Sequence, residues 1–287
     1  MQKIAHSQNF LVNNNLVSML VSNTMFNQDD IILDIGAGKG IITKELAKYS
    51  RNVIAIEIDE HLFLELLNIK GINAIKDDFL TYELPKKSFK TFSNIPFNKT
   101  AEILKKLLNS KYFEDGFIVI QEEASFKYAG EQLNALNTML SVIYGVAYSF
   151  EIVHKFSNSD FFPIPQFDIV LLHIQKRKNS LVNPNEIESF KDFISYVFNK
   201  TKEDIGSLKE LFTYNQFIRL KKETKLNIDA KPSEVNINQY IYLFNFLKNN
   251  FKEKLYLTNG YFEKLNSEQK EIEKIHRTRN DLDWRKK

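Results

Sequence analysis

Residues Asn94, Ile95, Pro96 and Phe97 form a quartet able to orient an exocyclic ring amine. The lone pair of such a nitrogen is delocalised into the ring, so the amino group must be turned rather than deprotonated before it can take a methyl group. Two acceptors aimed at its hydrogens achieve this: the side-chain oxygen of Asn94 and the backbone carbonyl of Ile95. Pro96 holds the turn because its ring locks φ. Phe97 supplies a face on which a base can stack. Two carboxylate groups belong to the same inventory. Glu57 ends the apolar run Val53–Ile56, where it can accept from both hydroxyls of a ribose. Asp77, Asp78 and Phe79 follow another short run; an acid there can accept from an adenine amino group while Phe79 packs on the ring. Solvated loop acids are the plain alternative for that pair.

These groups need strands that end at one edge. Ile31–Gly40, IILDIGAGKG, supplies the first: a short apolar run read as a buried parallel strand. Gly36, Gly38 and Gly40 then permit a turn that lets backbone approach a ligand. Ile41, Ile42, Leu46 and Ala47 recur at helical spacing, so the turn opens a helix, the first unit of a doubly wound sheet. The loop reads G-x-G-x-G, with Ile41 where a dinucleotide fingerprint sets its last glycine, and no phosphate-binding G-x-x-x-x-G-K-[ST] occurs. A glycine loop preceded by an acid and followed by a ribose carboxylate suits S-adenosylmethionine, which has no phosphate to cradle, better than NAD.

The alternation continues. A helix is expected over 61–68, strands over 72–76, 92–94 and 117–121, and helices over 101–108 and 134–144. Strands near 148–153 and 169–174 are expected to close the sheet as a hairpin. Between them Phe161-Phe162-Pro163-Ile164-Pro165 forms an extended loop, whose aromatics form either an opposite wall for a base or ordinary core. At the start, Gln8 and Asn9 precede Phe10–Leu11 and an amphipathic helix from about Asn14; by spacing alone Asn9 is a turn residue and Phe10 an anchor. Lys99, Lys105, Lys106 and Lys111 read as a solvated helix face. Beyond a polar linker, 179–185, only helical periodicity remains: 187–198, 208–212, 217–222 and 237–251. Lys200, Lys202, Lys209, Arg219, Lys221 and Lys222 make that region basic. A charged tail follows from about 256 to 287.

The composition, 43% hydrophobic and 26% charged, is that of a globular protein long enough for two domains. The net charge of +3 permits nucleic-acid binding without demanding it. There is no cysteine, which excludes disulfides and thiolate metal sites and suits a reducing cytoplasm. The five histidines show no ligand spacing, so no metal is expected. No signal core or stretch of transmembrane length is visible, and no membrane association is expected.

SQNFL (7–11), LDIGAGKG (33–40), IEID (56–59), DDF (77–79), NIPF (94–97) and FFPIP (161–165) recur in this order in one family. The chain resembles the rRNA adenine-N6 methyltransferases, and within them the Erm macrolide-resistance type. The GxGKG loop and LFTYNQF (211–217) are more like Erm enzymes than like the small-subunit rRNA dimethyltransferases. The resemblance implies S-adenosylmethionine as donor and an adenine of 23S rRNA as acceptor, modified before the subunit is fully assembled. Its outcome would be lowered binding of macrolide, lincosamide and streptogramin B antibiotics. It also implies Asn9, Leu11, Gly36, Glu57, Asp78 and Asn94 at the cofactor. Gln8, Gly38 and Phe79, from the same motifs, complete that candidate set, and Asn94, Ile95, Pro96, Phe97 and Phe161 form the candidate catalytic set. Three positions depart from the family pattern: Phe97 replaces the usual tyrosine, and Phe167 and Ile169 replace valine and serine.

The expected architecture is therefore α/β, a Rossmann-like seven-stranded class I methyltransferase sheet with a small C-terminal all-helical domain. The expected divisions are 1–178 for cofactor and catalysis, 179–255 for RNA binding, and 256–287 as an extension, in a monomer. Competing readings are a 16S rRNA adenine dimethyltransferase, a non-catalytic RNA-binding factor on the same fold, and an NAD-dependent oxidoreductase. Intact Asn94, Gly36, Gly38 and Glu57 argue against the second; the glycine pattern argues against the third.

Overall fold

The computed structural model describes residues 9–201 and 204–271. Its order begins with β1 (Phe10–Leu11), α1 (Asn14–Ser22), β2 (Ile31–Ile35), α2 (Ile41–Leu46), β3 (Asn52–Glu57), α3 (Glu60–Leu66), β4 (Ile72–Lys76), β5 (Phe89–Asn94), α4 (Thr100–Leu108) and β6 (Phe113–Gln121). It continues through α5 (Glu122–Ala129), α6 (Met139–Gly145), β7 (Tyr148–Lys155), β8 (Phe161–Phe162) and β9 (Ile169–Lys176). Seven strands form one sheet in the order β4-β3-β2-β5-β6-β9-β7. The first five are parallel, and β9 and β7 join antiparallel, as the expected hairpin requires. α6 starts later than the periodicity predicts, because Thr138 and Ser141 form a reciprocal cap that fixes its first turn at Met139.

The chain leaves β2 outward through β3 and β4, then returns to the other side of β2 with β5. Ligands of open α/β sheets bind at such a reversal, beyond the carboxyl ends of the strands. Here the two central strands part early. β2 and β5 pair only at Ile32–Lys90 and Leu33–Thr91, whereas β2 and β3 pair at five positions. Side-chain hydroxyls replace the missing ladder: Thr91 Oγ1 donates to the Leu33 carbonyl at 2.9 Å, and the Ile35 amide donates to Ser93 Oγ at 2.8 Å. All of these groups are buried, so the parting is satisfied and not a frayed edge.

The described residues fall into two compact units. The first holds the sheet through Asn183, together with 233–238; the second comprises 184–232 and the residues from Gln239 onward. The second unit contains α7 (Ile187–Lys200), α8 (Tyr214–Thr224), most of α9 (Ile237–Asn250), α10 (Lys252–Leu255) and α11 (Tyr261–Glu271). Its core is aromatic: Phe190, Phe193, Phe212, Tyr240 and Phe244 are fully buried. Residues 208–212 form turns instead of the expected helix, since the Thr213–Gln216 capping box starts α8 only at Tyr214. The linker is not free chain either: the Leu181 amide and Ser180 Oγ both donate to the Val146 carbonyl. Nor is 256 an edge among the described residues. Phe262 is buried, and the amides of Gly260 and Phe262 donate to the Asp192 carboxylate at 2.8 and 3.0 Å. Residues 272–287 lie outside the described residues.

Candidate active site

The glycine loop is latched to its neighbour strand. The amides of Gly36 and Ala37 both donate to the Ile56 carbonyl, at 2.9 and 3.1 Å. Gly38 (φ +55°) and Gly40 (φ +75°) lie in the left-handed region that favours glycine. A Cβ at Gly40 would come within 2.5 Å of Ile69 and 2.9 Å of Leu66, so that glycine admits the next helix. A Cβ at Gly38 would stand 3.1 Å from the Phe10 ring, which is how the N-terminal segment reaches the loop.

Glu57 closes β3 with its carboxylate buried to 2% exposure. One oxygen accepts the Gly38 amide at 2.8 Å; the other accepts the amides of Ile58 and Asp59, each at 2.9 Å. Thus the acid holds the glycine loop as well as facing the cleft, and of its roughly four acceptor sites one stays open, on the oxygen that takes the Gly38 amide. Asp34 lies one residue before the loop and is also buried. Thr43 Oγ1 donates to its Oδ2 at 2.6 Å, while its Oδ1 has no partner among the described residues. Burial pushes its pKa from the ordinary carboxylate range up to about 7, with the nearby Glu57 charge adding to the effect.

Asn94 ends β5 on the other side of the strand gap. Its Nδ2 donates to the Asn9 carbonyl at 2.8 Å. A carbonyl only accepts, so this bond fixes which end of the amide is nitrogen. Oδ1 is left buried with no hydrogen-bond partner among the described residues. Asn9 is itself held, its Nδ2 donating to the Pro163 carbonyl at 2.6 Å. β1 pairs antiparallel with β8, which straps the N-terminal segment to the FFPIP loop.

Two cavities open to solvent meet at these groups, the larger and smaller spanning about 680 and 540 Å³ with the solvent in their mouths included. The larger is lined by Asn9, Glu57, Asp77, Asp78, Phe79 and Ile95–Pro96 among others. The smaller is lined by Leu11, Asp34, Gly38, Lys39 and Phe162 among others. Phe10, Gly36 and Asn94 belong to both. Hence Asn9, Leu11, Gly36, Gly38, Glu57, Asp78, Phe79, Asn94, Ile95 and Pro96 come together around one cleft. Gln8 lies outside the described residues.

Two aromatic candidates stand differently. Phe97 lines neither cavity; half-buried, it packs edge-on against Phe167, ring centroids 5.4 Å apart. The Phe161 wall is a correction: its ring is 2% exposed, packs on Phe156 and belongs to the core. Its neighbour Phe162 is 69% exposed and lines the smaller cavity. Spacing also missed the Thr91–Ser93 hydroxyls and Asp34 with Thr43. An acid directly ahead of a glycine turn was the available signal for Asp34.

A family model for ribosomal RNA adenine dimethylase matches residues 1–249. The chain belongs to that family. An rRNA adenine N-6-methyltransferase of Bacteroides fragilis is 30% identical to this chain over 244 residues, 83% of this chain and 90% of the relative. The ribosomal RNA small subunit methyltransferase A of Aster yellows witches'-broom phytoplasma (strain AYWB) is 30% identical over 214 residues, 71% and 79% of the two chains. The crystal structure of the 23S rRNA methyltransferase ErmE superposes with a TM-score of 0.74 at 24% identity, covering 84% of this chain and 100% of that one. That last likeness is one of fold, and it agrees with the expected sheet and helical C-terminal region. The chain is thus an enzyme of the rRNA adenine N6-methyltransferase family. Among its described residues no helix is long and apolar enough to cross a membrane.

Proposed function

We propose that the protein methylates the N6 atom of an adenine in 23S rRNA, with S-adenosylmethionine as donor. The observation that carries this reading is the Asn94 amide: Nδ2 is tied to the Asn9 carbonyl, and Oδ1 is buried, unpartnered and on the border of two cavities. A buried acceptor without a donor is costly, of order 1–3 kcal/mol, unless a ligand supplies one. An amino group does so, and turning it takes its lone pair out of conjugation with the ring.

The residues present fit the donor. Glu57 keeps one acceptor site for a ribose hydroxyl, Asp78 and Phe79 offer a carboxylate and a ring to an adenine, and the loop carries no phosphate-binding pattern. Asp34 Oδ1 offers a second unmet acceptor to a cationic methionine end. S-adenosylmethionine would bring an electrophilic methyl group to this cleft. The chain's own residues do the remaining work: Asn94 and the Ile95 carbonyl turn the amine, Pro96 stiffens their spacing, and Phe97 stacks the base. A stacked adenine cannot reach this cleft and must be turned out first. That requirement favours RNA not yet enclosed in a finished subunit, acted on by a monomer in the cytoplasm. Modification of 23S rRNA would lower binding of macrolide, lincosamide and streptogramin B antibiotics.

The second reading is an adenine pair of 16S rRNA, favoured by the 30% identity to a small-subunit methyltransferase. Primer extension across both rRNAs, from cells with and without the gene, separates the two. The first reading expects a gene-dependent stop at one 23S adenine; a stop only in 16S rRNA would transfer the assignment.

A further inference from the structure

Lys106 sits in the last turn of α4, where a lysine ordinarily extends into water. Its ammonium instead donates to three main-chain carbonyls: Phe79 at 2.6 Å, Leu80 at 3.0 Å and Tyr82 at 2.5 Å. Three protons meet three acceptors, so the group is saturated. The same nitrogen lies 5.0 Å from the centroid of the Phe79 ring, within cation–π range. Burial lowers the Lys106 pKa below the usual lysine value, while Asp78 and Asp77 pull it back up.

The three carbonyls belong to the 77–82 loop, and Asp77, Asp78, Phe79 and Leu80 of that loop line the larger cavity. Other ties of the loop are short-range. The amides of Thr81 and Tyr82 donate to the Asp78 carbonyl, and the Leu80 amide donates to Asp78 Oδ1. Among the described residues only the Asp77 amide, donating to the Glu57 carbonyl at 3.2 Å, adds a main-chain tie to a distant part of the chain. One cation from α4 therefore gathers the loop's carbonyls, with the acids and the Phe79 ring left at the cleft.

We propose that Lys106 is a positioning residue: its ammonium staples the adenine-facing loop to α4 and so sets affinity for the adenosyl half of the donor. The inference rests on the S-adenosylmethionine reading above. It also removes Lys106 from the lysines available to RNA phosphates.

The test compares wild type with Lys106→Met and Lys106→Arg. Calorimetry measures binding of S-adenosylmethionine and of adenosine, which carries only the half concerned. Hydrogen exchange follows the Thr81 and Tyr82 amides in the free protein. If the unstapled loop keeps its binding form roughly 1–10% of the time, both dissociation constants rise about 10- to 100-fold, by the same factor. kcat at saturating donor and KM for RNA stay within about threefold, the two amides exchange faster, and arginine recovers most of the affinity. Unchanged donor affinity in folded Lys106→Met would overturn the proposal, as would a raised KM for RNA alone. Should methionine prevent folding, Lys106→Gln is read against the same criteria. Wild type that binds neither ligand would sink the cofactor reading and the affinity claim with it, whereas wild-type binding unaltered in the variants would sink the staple alone.

Discussion

On the donor side of the strand gap, polar groups other than Asp34 Oδ1 are already engaged. Glu57 accepts three backbone amides, and the 77–82 loop is gathered by one lysine. On the other side, where β5 ends, the Asn94 amide is anchored through its nitrogen and its oxygen meets no donor. On the proposed function, the first region holds a ligand in one pose and the second keeps an unmet acceptor for a group that arrives later. Substitutions on the two sides should therefore move different constants, the donor side changing affinity and the acceptor side changing turnover.

The largest expected effect is at Asn94. Removing one preorganised hydrogen-bonding group costs about 10²–10³ in kcat, so Asn94→Ala should lose that much turnover. Its affinity for S-adenosylmethionine should change by less than about tenfold, the worth of one ordinary hydrogen bond. Steady-state kinetics alongside calorimetry reads the split, and equal losses in both would erase the contrast. Next is Phe97. Base–aromatic stacking worth about 1–3 kcal/mol makes Phe97→Ala roughly 5- to 150-fold slower in kcat/KM, while Phe97→Tyr keeps most activity. Alanine matching wild type would leave Phe97 as packing against Phe167 and shift the stacking role to exposed Phe162.

Glu57→Gln tests the donor side with a twist that the geometry adds. An amide nitrogen at either position must face a backbone N–H. The variant should lose about 1–3 kcal/mol of donor affinity and a similar amount of stability, read by calorimetry and denaturant unfolding. Lost affinity without lost stability would mean the loop does not depend on the acid.

Smallest is Asp34. Its folded pKa, raised to about 7, lies above its unfolded value, so its contribution to stability is fully present in acid and lost as pH rises through that value. Asp34→Asn should gain about 1–2 kcal/mol at pH 8 and little near pH 4, less than the full shift because the new amide also lacks a partner. Thermal unfolding across that range checks the sign. A variant less stable than wild type at pH 8 would contradict the burial argument.

Much of this was legible from the chain. The glycine loop, Glu57 one strand on and the asparagine–proline quartet are local patterns whose physics is carried by residue type. What escaped was decided between segments. In FFPIP, β1 and β8 pair through Phe10–Phe162 and Leu11–Phe161, and alternation sends one ring into the core and the next outward. Which ring goes inward depends on register, and two adjacent phenylalanines do not encode it. Lys106 reads as a surface lysine because its partners are carbonyls, which every residue has. The stretch after 256 reads as a charged tail, yet Tyr261 and Phe262 pack on α7, the Tyr261 ring meeting Tyr196 edge-on at 5.1 Å.

The central claim, that the Asn94 oxygen turns an adenine amino group toward a methyl donor, is tested most directly by identifying the product. Wild type and Asn94→Ala would each be incubated with methyl-labelled S-adenosylmethionine and ribosomal RNA, and the digested nucleosides resolved by mass spectrometry. Label in N6-methylated adenosine with wild type, and nearly none with a folded Asn94→Ala that still binds the donor, is the predicted result. Label at any other atom, or undiminished N6 label in the variant, would contradict it.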